Sequence, residues 1–424
     1  MMLTVFIIMF AVMLLGVPIA YAIGAAAGFG MLTIGHVPLT IVPQTMFGML
    51  DTFALLAVPF FILAGNLMDK GGISKKLIDL ASCIVGHIRG GLGMVCILAC
   101  ILFGAISGSG AAASAAIGSI TIPSMKEKGY DKEFAGAITA VSGPLGIIIP
   151  PSIVMVIYAM TANVSVGDMF LAGYIPGTIL GIAMMAAVYL IARKKHYPAG
   201  ERPTLRGFVH SFLDSIWALL MVVIIIGGIF SGLFTATEAA CVAVVYALLV
   251  GMFVYKGLKP RDLPDIFKRS AATSAAVMFC VAATNVLAWL LTNEQLPQKV
   301  AAAMGAAVHS KVLILLMVNV IFLILGMILD STPAIILAVP ILLPIVTQYG
   351  VDPLHFGLIT TVNLAIGMST PPVGITLFVS SGIAGTSLTK MVRPMLPIWI
   401  TMFAILMLIT FIPEISLALP NLFH

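Results

Sequence analysis

Two short motifs of the same kind hold the residues of this chain that are best suited to chemistry. Both read Gly-x-x-x-Pro-Pro, the first at residues 146–151 and the second at residues 367–372. Two successive prolines break a helix, because proline lacks an amide donor and its ring clashes with the preceding turn. Carbonyls that lose their partner inside a bilayer are costly unless another group replaces the donor, and a sodium ion is such a group. One motif alone would indicate a plain proline kink, whereas two in corresponding places predict two cation sites.

A run of small and hydroxyl-bearing residues supplies a second kind of chemistry. Residues 104–110 read Gly-Ala-Ile-Ser-Gly-Ser-Gly, and a turn here would expose helix N-terminal amides together with the hydroxyls of Ser107 and Ser109. Helix N-termini carry a partial positive charge and bind carboxylates. Close helix packing is the alternative, and it explains the alanine-rich residues 111–116 but not the two serines. The run therefore predicts an anion site.

Three acidic residues lie within apolar segments or at their ends. Asp330 precedes Ser331 and Thr332 in an apolar stretch, and an acid inside the membrane is a functional hypothesis by default. It is equally suited to capping the helix that follows, and the two roles are compatible. For Asp51 and Glu238 helix capping is the favoured prediction.

The elements that position these residues follow from the composition. Hydrophobic residues make up 61% of the 424 residues and charged residues only 9%, whereas a soluble domain carries about 25% charged residues. A spanning helix needs about 20 apolar residues, and residues 1–32, 171–192 and 216–234 each supply such a stretch. We therefore predict an all-α polytopic membrane protein in which residues 1–32 form a retained helix, not a cleaved signal.

The basic residues predict the orientation, because they concentrate on the cytoplasmic side of short loops. We place nearly all of them inside and only Lys299 and Lys311 outside. The inside clusters are residues 70–76, 126–132, 193–206, 256–269 and 390–393, together with Arg89. The net charge of +5 is thereby explained by topology, and no nucleic-acid partner is expected.

Two apolar intervals are interrupted in the middle and have both ends on one side of the membrane. Residues 91–125 are broken by glycines and serines, and residues 312–349 are broken at Gly326 and at 330–333. Each interval is predicted to form a re-entrant helical hairpin, the first from inside and the second from outside. A Gly-x-x-x-Pro-Pro segment follows each hairpin, so we predict two inverted repeats.

This pattern divides the chain into scaffold and transport parts. Residues 91–192 and 311–385 each hold a hairpin with its broken helix, and together they form the predicted transport domain. Residues 1–90 are predicted as N-terminal scaffold helices, residues 193–310 as central scaffold helices with basic cytoplasmic loops, and residues 386–424 as a C-terminal scaffold helix.

Taken together, these segments resemble the large membrane subunit (the M or DctM-like subunit) of tripartite ATP-independent periplasmic (TRAP) transporters. The resemblance is carried by residues 51–60, 105–125, 146–153, 232–240, 326–332 and 367–374. They occur in the expected order over nearly the whole chain and are jointly specific. One departure lies at the first hairpin, where residues 110–113 replace the acid-containing tip of some members.

The resemblance implies an elevator-type transporter with inverted repeats and two re-entrant hairpins. It implies sodium-coupled uptake of a small organic anion across the bacterial inner membrane, with sodium as coupling ion and no cofactor. It also implies two partners: a small membrane subunit of about four helices, expected here as a separate chain, and a periplasmic substrate-binding protein.

The site residues of the family map onto this chain position by position. The first sodium site would comprise Ser107, Ser109, Gly146, Ile149 and Pro151. The second would comprise Gly326, Asp330, Gly367, Thr370 and Pro372. For the substrate we predict contacts from Ser107, Gly108, Ser109, Gly110, Ser331 and Thr332, and we predict no catalytic residue.

Several functions stay open at this point. A C4-dicarboxylate is favoured on family frequency, and sialic acid, another sugar acid, a keto acid or a sulfonate is also compatible. A divalent-anion/sodium symporter without a binding protein has the same hairpin plan, and re-entrant hairpins also occur in channels. An enzyme is disfavoured, because the 7 histidines are scattered and no HExxH, GxSxG or GxxxxGK[ST] motif occurs.

Overall fold

The structure is a computed structural model that describes residues 2–34, 38–200, 202–300 and 310–423. These ranges are helical, and the one β-type pairing within them is an isolated bridge between Arg89 and Ala199. In the described ranges eight helices are long and apolar enough to cross a membrane, and a helix pair bent by 45° at residues 149–152 makes a ninth. The predicted all-α polytopic membrane fold is confirmed.

One group of helices comes from the N-terminal and central parts of the chain. It consists of α1 (Met2–Leu14), α2 (Ile19–Ile34), α3 (Ile41–Leu50), α4 (Ala57–Lys70), α5 (Ile73–Val85), α12 (Leu205–Phe230), α13 (Ala236–Leu249) and α14 (Leu263–Asn293). In this group α4 packs against α13 and α14, and α14 packs against α2 and α3. We call it the scaffold group.

The remaining helices form a second group around the two predicted repeats. It consists of α6 (Gly91–Ser107), α7 (Gly110–Glu127), α8 (Lys132–Ser142), α9 (Leu145–Ile148), α10 (Ile153–Ala162), α11 (Val166–Lys194), α15 (Lys311–Ile328), α16 (Ser331–Gln348), α17 (Pro353–Gly367), α18 (Ile375–Ala384), α19 (Leu388–Phe411) and α20 (Glu414–Phe423). We call it the hairpin group. It meets the scaffold group mainly where α5 packs against α6, where α14 packs against α16, and where α4 packs against α6 and α10.

Both predicted hairpins are present. Helices α6 and α7 pack against each other across a two-residue turn, Gly108 and Ser109. Gly108 has a φ of +62°, which suits glycine, and its amide donates to the carbonyl of Gly104 at 2.8 Å. Helices α15 and α16 pack together across the turn at Leu329 and Asp330. Each break occupies only two residues, so the rest of each small or polar run lies within a helix.

The apolar stretch at the N-terminus does not form the single helix that its length predicts. Within the described residues it forms two helices, α1 and α2, which pack against each other. Gly16 has a φ of +84° and Pro18 follows two residues later. Proline has no amide donor and disfavours a helical residue before it, so the helix ends here. The prediction of one retained helix over residues 1–32 was wrong.

The C-terminal helices pack with the hairpin group. Helix α19 contacts α8, α11 and α17, and α20 contacts α11. A buried polar chain joins the second hairpin to them: Asn363 Nδ2 donates to Asn319 Oδ1 at 2.6 Å, and Asn319 Nδ2 donates to Thr410 Oγ1 at 3.2 Å. Interhelical side-chain hydrogen bonds of this kind hold membrane helices together. Which helices move during transport stays a prediction, including the assignment of residues 386–424 to the scaffold.

Candidate functional site

A cavity of about 440 Å³ lies between the tips of the two hairpins and the scaffold helices α4 and α14. The first hairpin contributes the predicted substrate residues Ser107, Gly108, Ser109 and Gly110, and the second contributes Ser331 and Thr332. The structure therefore brings together six residues from the two hairpins. The four residues of the first hairpin are at least 221 positions away in sequence from the two residues of the second. Their role in binding stays a prediction.

Four helix N-termini converge on this cavity. The lining includes Ser109 to Ala112 at the start of α7, Ile153 and Val154 at the start of α10, Ser331 and Thr332 at the start of α16, and Ile375 at the start of α18. Two of these helices begin at the hairpin turns, and the other two begin just after the Pro-Pro breaks. Each N-terminus carries a partial positive charge, and the first-turn amides that no cap satisfies stay open to a ligand, so the cavity is built to receive negative charge.

The charged side chains of the cavity are acidic. Among the described residues that line it there is no lysine, arginine or histidine, whereas Asp69 and Asp330 both contribute. The positive potential here therefore comes from backbone dipoles. Two carboxylates so close to an anion site require compensating positive charge when the site is loaded.

Two hydroxyl groups in the cavity wall have no hydrogen-bond partner among the described residues. Ser107 Oγ and Ser331 Oγ are both buried and unpaired, and the two residues are 3% and 1% exposed. A buried hydroxyl without a partner costs about 1–3 kcal/mol. Ser107 ends the helix before the first turn and Ser331 begins the helix after the second turn, so each flanks a hairpin tip and is available to a ligand in the cavity.

The first broken helix touches the first hairpin through glycine. A methyl group built on Gly146 would lie 3.1 Å from Gly104 Cα and 3.3 Å from the carbonyl oxygen of Ser109. Beyond the break, Ile153 donates its amide to the carbonyl of Gly108 at 3.4 Å. Of the residues predicted for the first sodium site, the structure thus brings Gly146 next to the hairpin turn that holds Ser109.

The other two members of that set lie in the break itself. Ile149 has an extended backbone, with φ −90° and ψ 120°, and ends α9. The carbonyl of Pro151 faces Gly108, where an added methyl group would be 3.0 Å away. The break therefore brings one main-chain oxygen, that of Pro151, close to the turn of the hairpin, and the cation site itself stays a prediction.

The second broken helix repeats this arrangement. A methyl group on Gly326 of the second hairpin would lie 3.2 Å from Gly367 Cα. Val373, just after the Pro-Pro pair, donates its amide to the carbonyl of Met327 at 3.2 Å. Each hairpin is thus held to its broken helix by one glycine pair and by one amide that follows the prolines.

The remaining residues predicted for the second sodium site are placed less closely. Asp330 is the N-cap of α16, and its Oδ1 accepts the amide of Ser331 at 2.7 Å. The hydroxyl of Thr370 donates to the carbonyl of Ile366 at 2.7 Å, and Pro372 is exposed. Only Asp330 of this set lines the cavity.

The capping predictions can be judged directly. Asp330 caps α16, and Glu238 forms a capping box with Thr235, whose amide donates to Glu238 Oε2 at 2.8 Å. For Asp51 the prediction was wrong. It follows the last residue of α3, where the unpaired groups are carbonyls, and a carboxylate cannot pair with a carbonyl.

The scaffold side of the cavity was not predicted from the sequence. Ile62, Asn66 and Asp69 of α4 line it, and so do Thr273 and Val277 of α14. The spacing of four and three residues puts the α4 set on one helix face. The signal was present: Asn66 and Asp69 are polar residues on a helix that is otherwise apolar up to its last residue, Lys70.

Side-chain metal clusters are not part of this site. Within the described ranges no three His, Cys, Asp or Glu side chains come together in a way that could hold a metal ion. A cation at either break would therefore depend on main-chain and hydroxyl oxygens, with Asp69 and Asp330 as the carboxylates of the cavity.

Comparison with known proteins gives consistent matches. The profile of a family described as "Tripartite ATP-independent periplasmic transporter, DctM component" matches residues 6–415. The chain is 44% identical to the C4-dicarboxylate TRAP transporter large permease protein DctM of Pseudomonas aeruginosa over 371 residues, which cover 88% of this chain and 87% of that protein. It is 42% identical to the isethionate TRAP transporter permease protein DctMQ of Oleidesulfovibrio alaskensis over 406 residues, which cover 96% of this chain and 64% of that protein.

A solved structure with a similar fold is the YdaH transporter of Alcanivorax borkumensis. The TM-score is 0.60 at 15% sequence identity, and the match covers 88% of each chain. At this identity the likeness concerns the fold alone.

Proposed function

Because the chain belongs to the DctM component family of tripartite ATP-independent periplasmic transporters, we propose that it couples uptake of a small organic anion to sodium ions. As a member of this family it is a multi-pass permease of the bacterial inner membrane. The chain is a transporter subunit and not an enzyme, as its relatives are named permeases. Sodium coupling, the substrate and the elevator motion are the parts that we propose.

The observation that carries the proposal is the convergence of four helix N-termini on a cavity without basic side chains. Each N-terminus is equivalent to about half a positive charge, so four of them supply about two. Asp69 and Asp330 supply two negative charges to the same cavity. A bound anion would make the total negative, and one or two monovalent cations would restore neutrality. The charge balance thus favours a substrate that is bound together with cations.

The two breaks offer oxygen ligands for such cations. Hard cations prefer carbonyl, hydroxyl and carboxylate oxygens, and unwound main-chain carbonyls coordinate sodium in inverted-repeat transporters. The first break brings Gly146 and the carbonyl of Pro151 close to the first hairpin turn, and the second brings Gly367 close to Gly326. Ser107 Oγ and Ser331 Oγ are unpaired among the described residues. We propose one sodium site at each break.

For the substrate we favour a C4-dicarboxylate. Donors come from two separate hairpins, at Ser109 to Ala112 and at Ser331 and Thr332, which suits an anion with a carboxylate at each end. The relatives at 44% and 42% identity are named for a C4-dicarboxylate and for isethionate. Overall identity therefore does not choose between them, and sialic acid, sugar acids, keto acids and sulfonates are the other substrates to be tried.

The proposed partners are a small membrane subunit and a periplasmic binding protein that hands over the anion. The related DctMQ permease is longer than this chain, which covers 64% of it, and a fused small subunit would account for the difference. In the proposed cycle the hairpin group shifts as a unit against the scaffold group and carries the cavity across the membrane.

The proposal is tested by measuring transport in proteoliposomes that contain this chain, the small subunit and the binding protein. We expect saturable uptake of labelled succinate that requires an inward sodium gradient and the binding protein. Full uptake with choline in place of sodium and without a proton gradient would refute sodium coupling. Uptake without the binding protein would favour the divalent-anion symporter, and flux that does not saturate would favour a channel.

A further inference from the structure

A second, smaller cavity continues from the first. Its volume is about 160 Å³, and it lies between the C-terminal end of α4 and the N-terminal end of α14. Asn66 and Asp69 line both cavities, whereas Lys70, Ile266 and Arg269 line only the smaller one. Two acids, Asp262 and Asp265, complete its wall. The two cavities share the wall formed by Asn66 and Asp69, and we call them together the passage, which extends from the hairpin tips to the facing ends of α4 and α14.

This passage leads to the cytoplasmic side. The ends of α4 and α14 that line the smaller cavity carry basic clusters at residues 70–76 and 256–269, and such clusters mark cytoplasmic loops. On the opposite side, a cavity of about 520 Å³ around Phe53, Ser165 and Thr237 shares no lining residue with the substrate cavity. There Thr237 Oγ1 donates to the carbonyl of Phe53 at 3.1 Å. Of these two further cavities, only the cytoplasmic one shares lining residues with the substrate cavity.

The two basic side chains of the passage are not neutralised by ion pairs. Over the described ranges no carboxylate lies within 4.0 Å of the charged nitrogens of Lys70 or Arg269. Two of the three nearby acids keep their charge but are hydrogen-bonded elsewhere: Asp69 Oδ1 accepts the hydroxyl of Ser74 at 2.6 Å, and Asp262 Oδ2 accepts the amide of Lys259 at 3.0 Å. The third, Asp265, lies in the first turn of α14, where the helix dipole offsets its charge.

We propose that Arg269, with Lys70 beside it, is an anion-receiving station on the cytoplasmic exit route. A carboxylate that leaves the hairpin tips passes two acids of the substrate cavity and then meets its first cationic side chains here. A guanidinium binds a carboxylate through two parallel hydrogen bonds. Both residues belong to the scaffold group, so the station stays in place when the hairpin group moves. The inference rests on the proposed transport of an organic anion.

Asn66 allows a test of the local potential that needs no substrate. We introduce Asn66→Cys after replacing Cys83, Cys96, Cys100, Cys241 and Cys280 with alanine. Inside-out vesicles are treated with two thiol reagents of similar size and opposite charge, sulfonatoethyl and trimethylammonioethyl methanethiosulfonate. The ratio of the two modification rates reports the electrostatic potential at the junction of the two cavities.

We expect Arg269→Gln to lower the anionic-to-cationic rate ratio about threefold or more, because one positive charge is lost from the passage. Arg269→Lys should preserve the ratio. The control is Lys268→Gln, which removes a charge from the adjacent residue, one that lines neither cavity. An equal ratio in Arg269→Gln and Lys268→Gln overturns the proposal.

A transport measurement adds an independent readout. In proteoliposomes preloaded with succinate, Arg269→Gln should raise the internal concentration that gives half-maximal exchange, and Lys268→Gln should not. If Arg269→Gln leaves the internal succinate concentration for half-maximal exchange unchanged, the proposed anion-receiving role of Arg269 is also overturned. The thiol measurement depends on neither sodium nor substrate, so failure of sodium-coupled transport and failure of the station are distinguishable.

Discussion

Gly104 of the first hairpin and Gly146 of the first broken helix pack backbone against backbone. A methyl group built on Gly104 would overlap the Cα atom of Gly146. The same contact recurs between Gly326 and Gly367 in the second half of the chain. In each half, therefore, a hairpin approaches its broken helix so closely that only glycine fits.

The first prediction concerns these glycine pairs. Gly104→Ala and Gly367→Ala should each destabilise the protein by about 1–3 kcal/mol, because the added methyl group meets backbone that cannot move aside easily. Both variants should also lose transport. Gly227→Ala is the matched control, since nothing lies within 4 Å of the added methyl group there. Thermal unfolding in detergent measures the effect, and equal melting temperatures for Gly104→Ala and Gly227→Ala would contradict the close packing.

The second prediction separates stability from function at the hairpin tip. Ser107→Ala removes a buried hydroxyl that has no partner among the described residues, so the melting temperature should stay the same or rise. Transport should nevertheless weaken, with a roughly tenfold higher half-saturating concentration of sodium or substrate if a charged ligand loses a hydrogen bond. Ser142→Ala is the control, because Ser142 Oγ donates within its own helix to Ile138 at 2.7 Å. Normal transport by Ser107→Ala would remove this serine from the site.

The third prediction compares two helix N-caps. Asp330 caps α16 at the cavity, and Asp352 caps α17, with its Oδ1 accepting the amide of Leu354 at 2.8 Å. Asparagine also caps well, so both asparagine variants should fold. Asp330→Asn should raise the half-saturating sodium concentration about tenfold, as expected for losing a charged ligand, and Asp352→Asn should not change it. Identical sodium curves for the two variants would show that Asp330 only caps its helix.

The fourth prediction concerns pH and the cytoplasmic end of the hairpin group. The pKa of Asp131 lies below its usual range, because Lys195 donates a hydrogen bond to the carboxylate and Tyr197 donates another at 2.7 Å. A carboxylate whose pKa is lowered by folding stabilises the folded state at pH values above its unfolded-state pKa. This contribution is lost as the pH falls through the lowered pKa. At pH 7, Asp131→Asn should therefore cost about 0.2–1 kcal/mol, since the pair is solvent-exposed.

This difference should shrink as the pH falls below the usual pKa of an aspartate. Melting curves of the parent chain and of Asp131→Asn at pH 7 and at about pH 3 give the test. Asp51→Asn is the control, because within the part of the chain that the structure describes the Asp51 carboxylate makes no hydrogen bond or ion pair. A stability difference for Asp131→Asn that persists unchanged in acid would show that the carboxylate charge is not its origin.

The positions of the hairpins and of the broken helices were predictable because their causes are local. Gly108 ends α6 in a left-handed conformation, and Pro150 and Pro151 interrupt the helix that would otherwise join α9 to α10. The same type of signal, Gly16 followed by Pro18, was available at the N-terminus and outweighs apolar length there. Apolar length predicts that a segment lies in the membrane, but not that it is one helix.

The sequence by itself determined the fold class, the two hairpins, the two helix breaks and the tip serines, because chain composition and the backbone limits of glycine and proline act within a few residues. Only the tertiary structure decided which groups face one another. The contact of Gly104 with Gly146 joins residues 42 positions apart, and Asn66 and Arg269 reach the passage through the packing of α4 on α14. Such neighbours depend on how helices pack across the whole chain, and no spacing along the sequence records that.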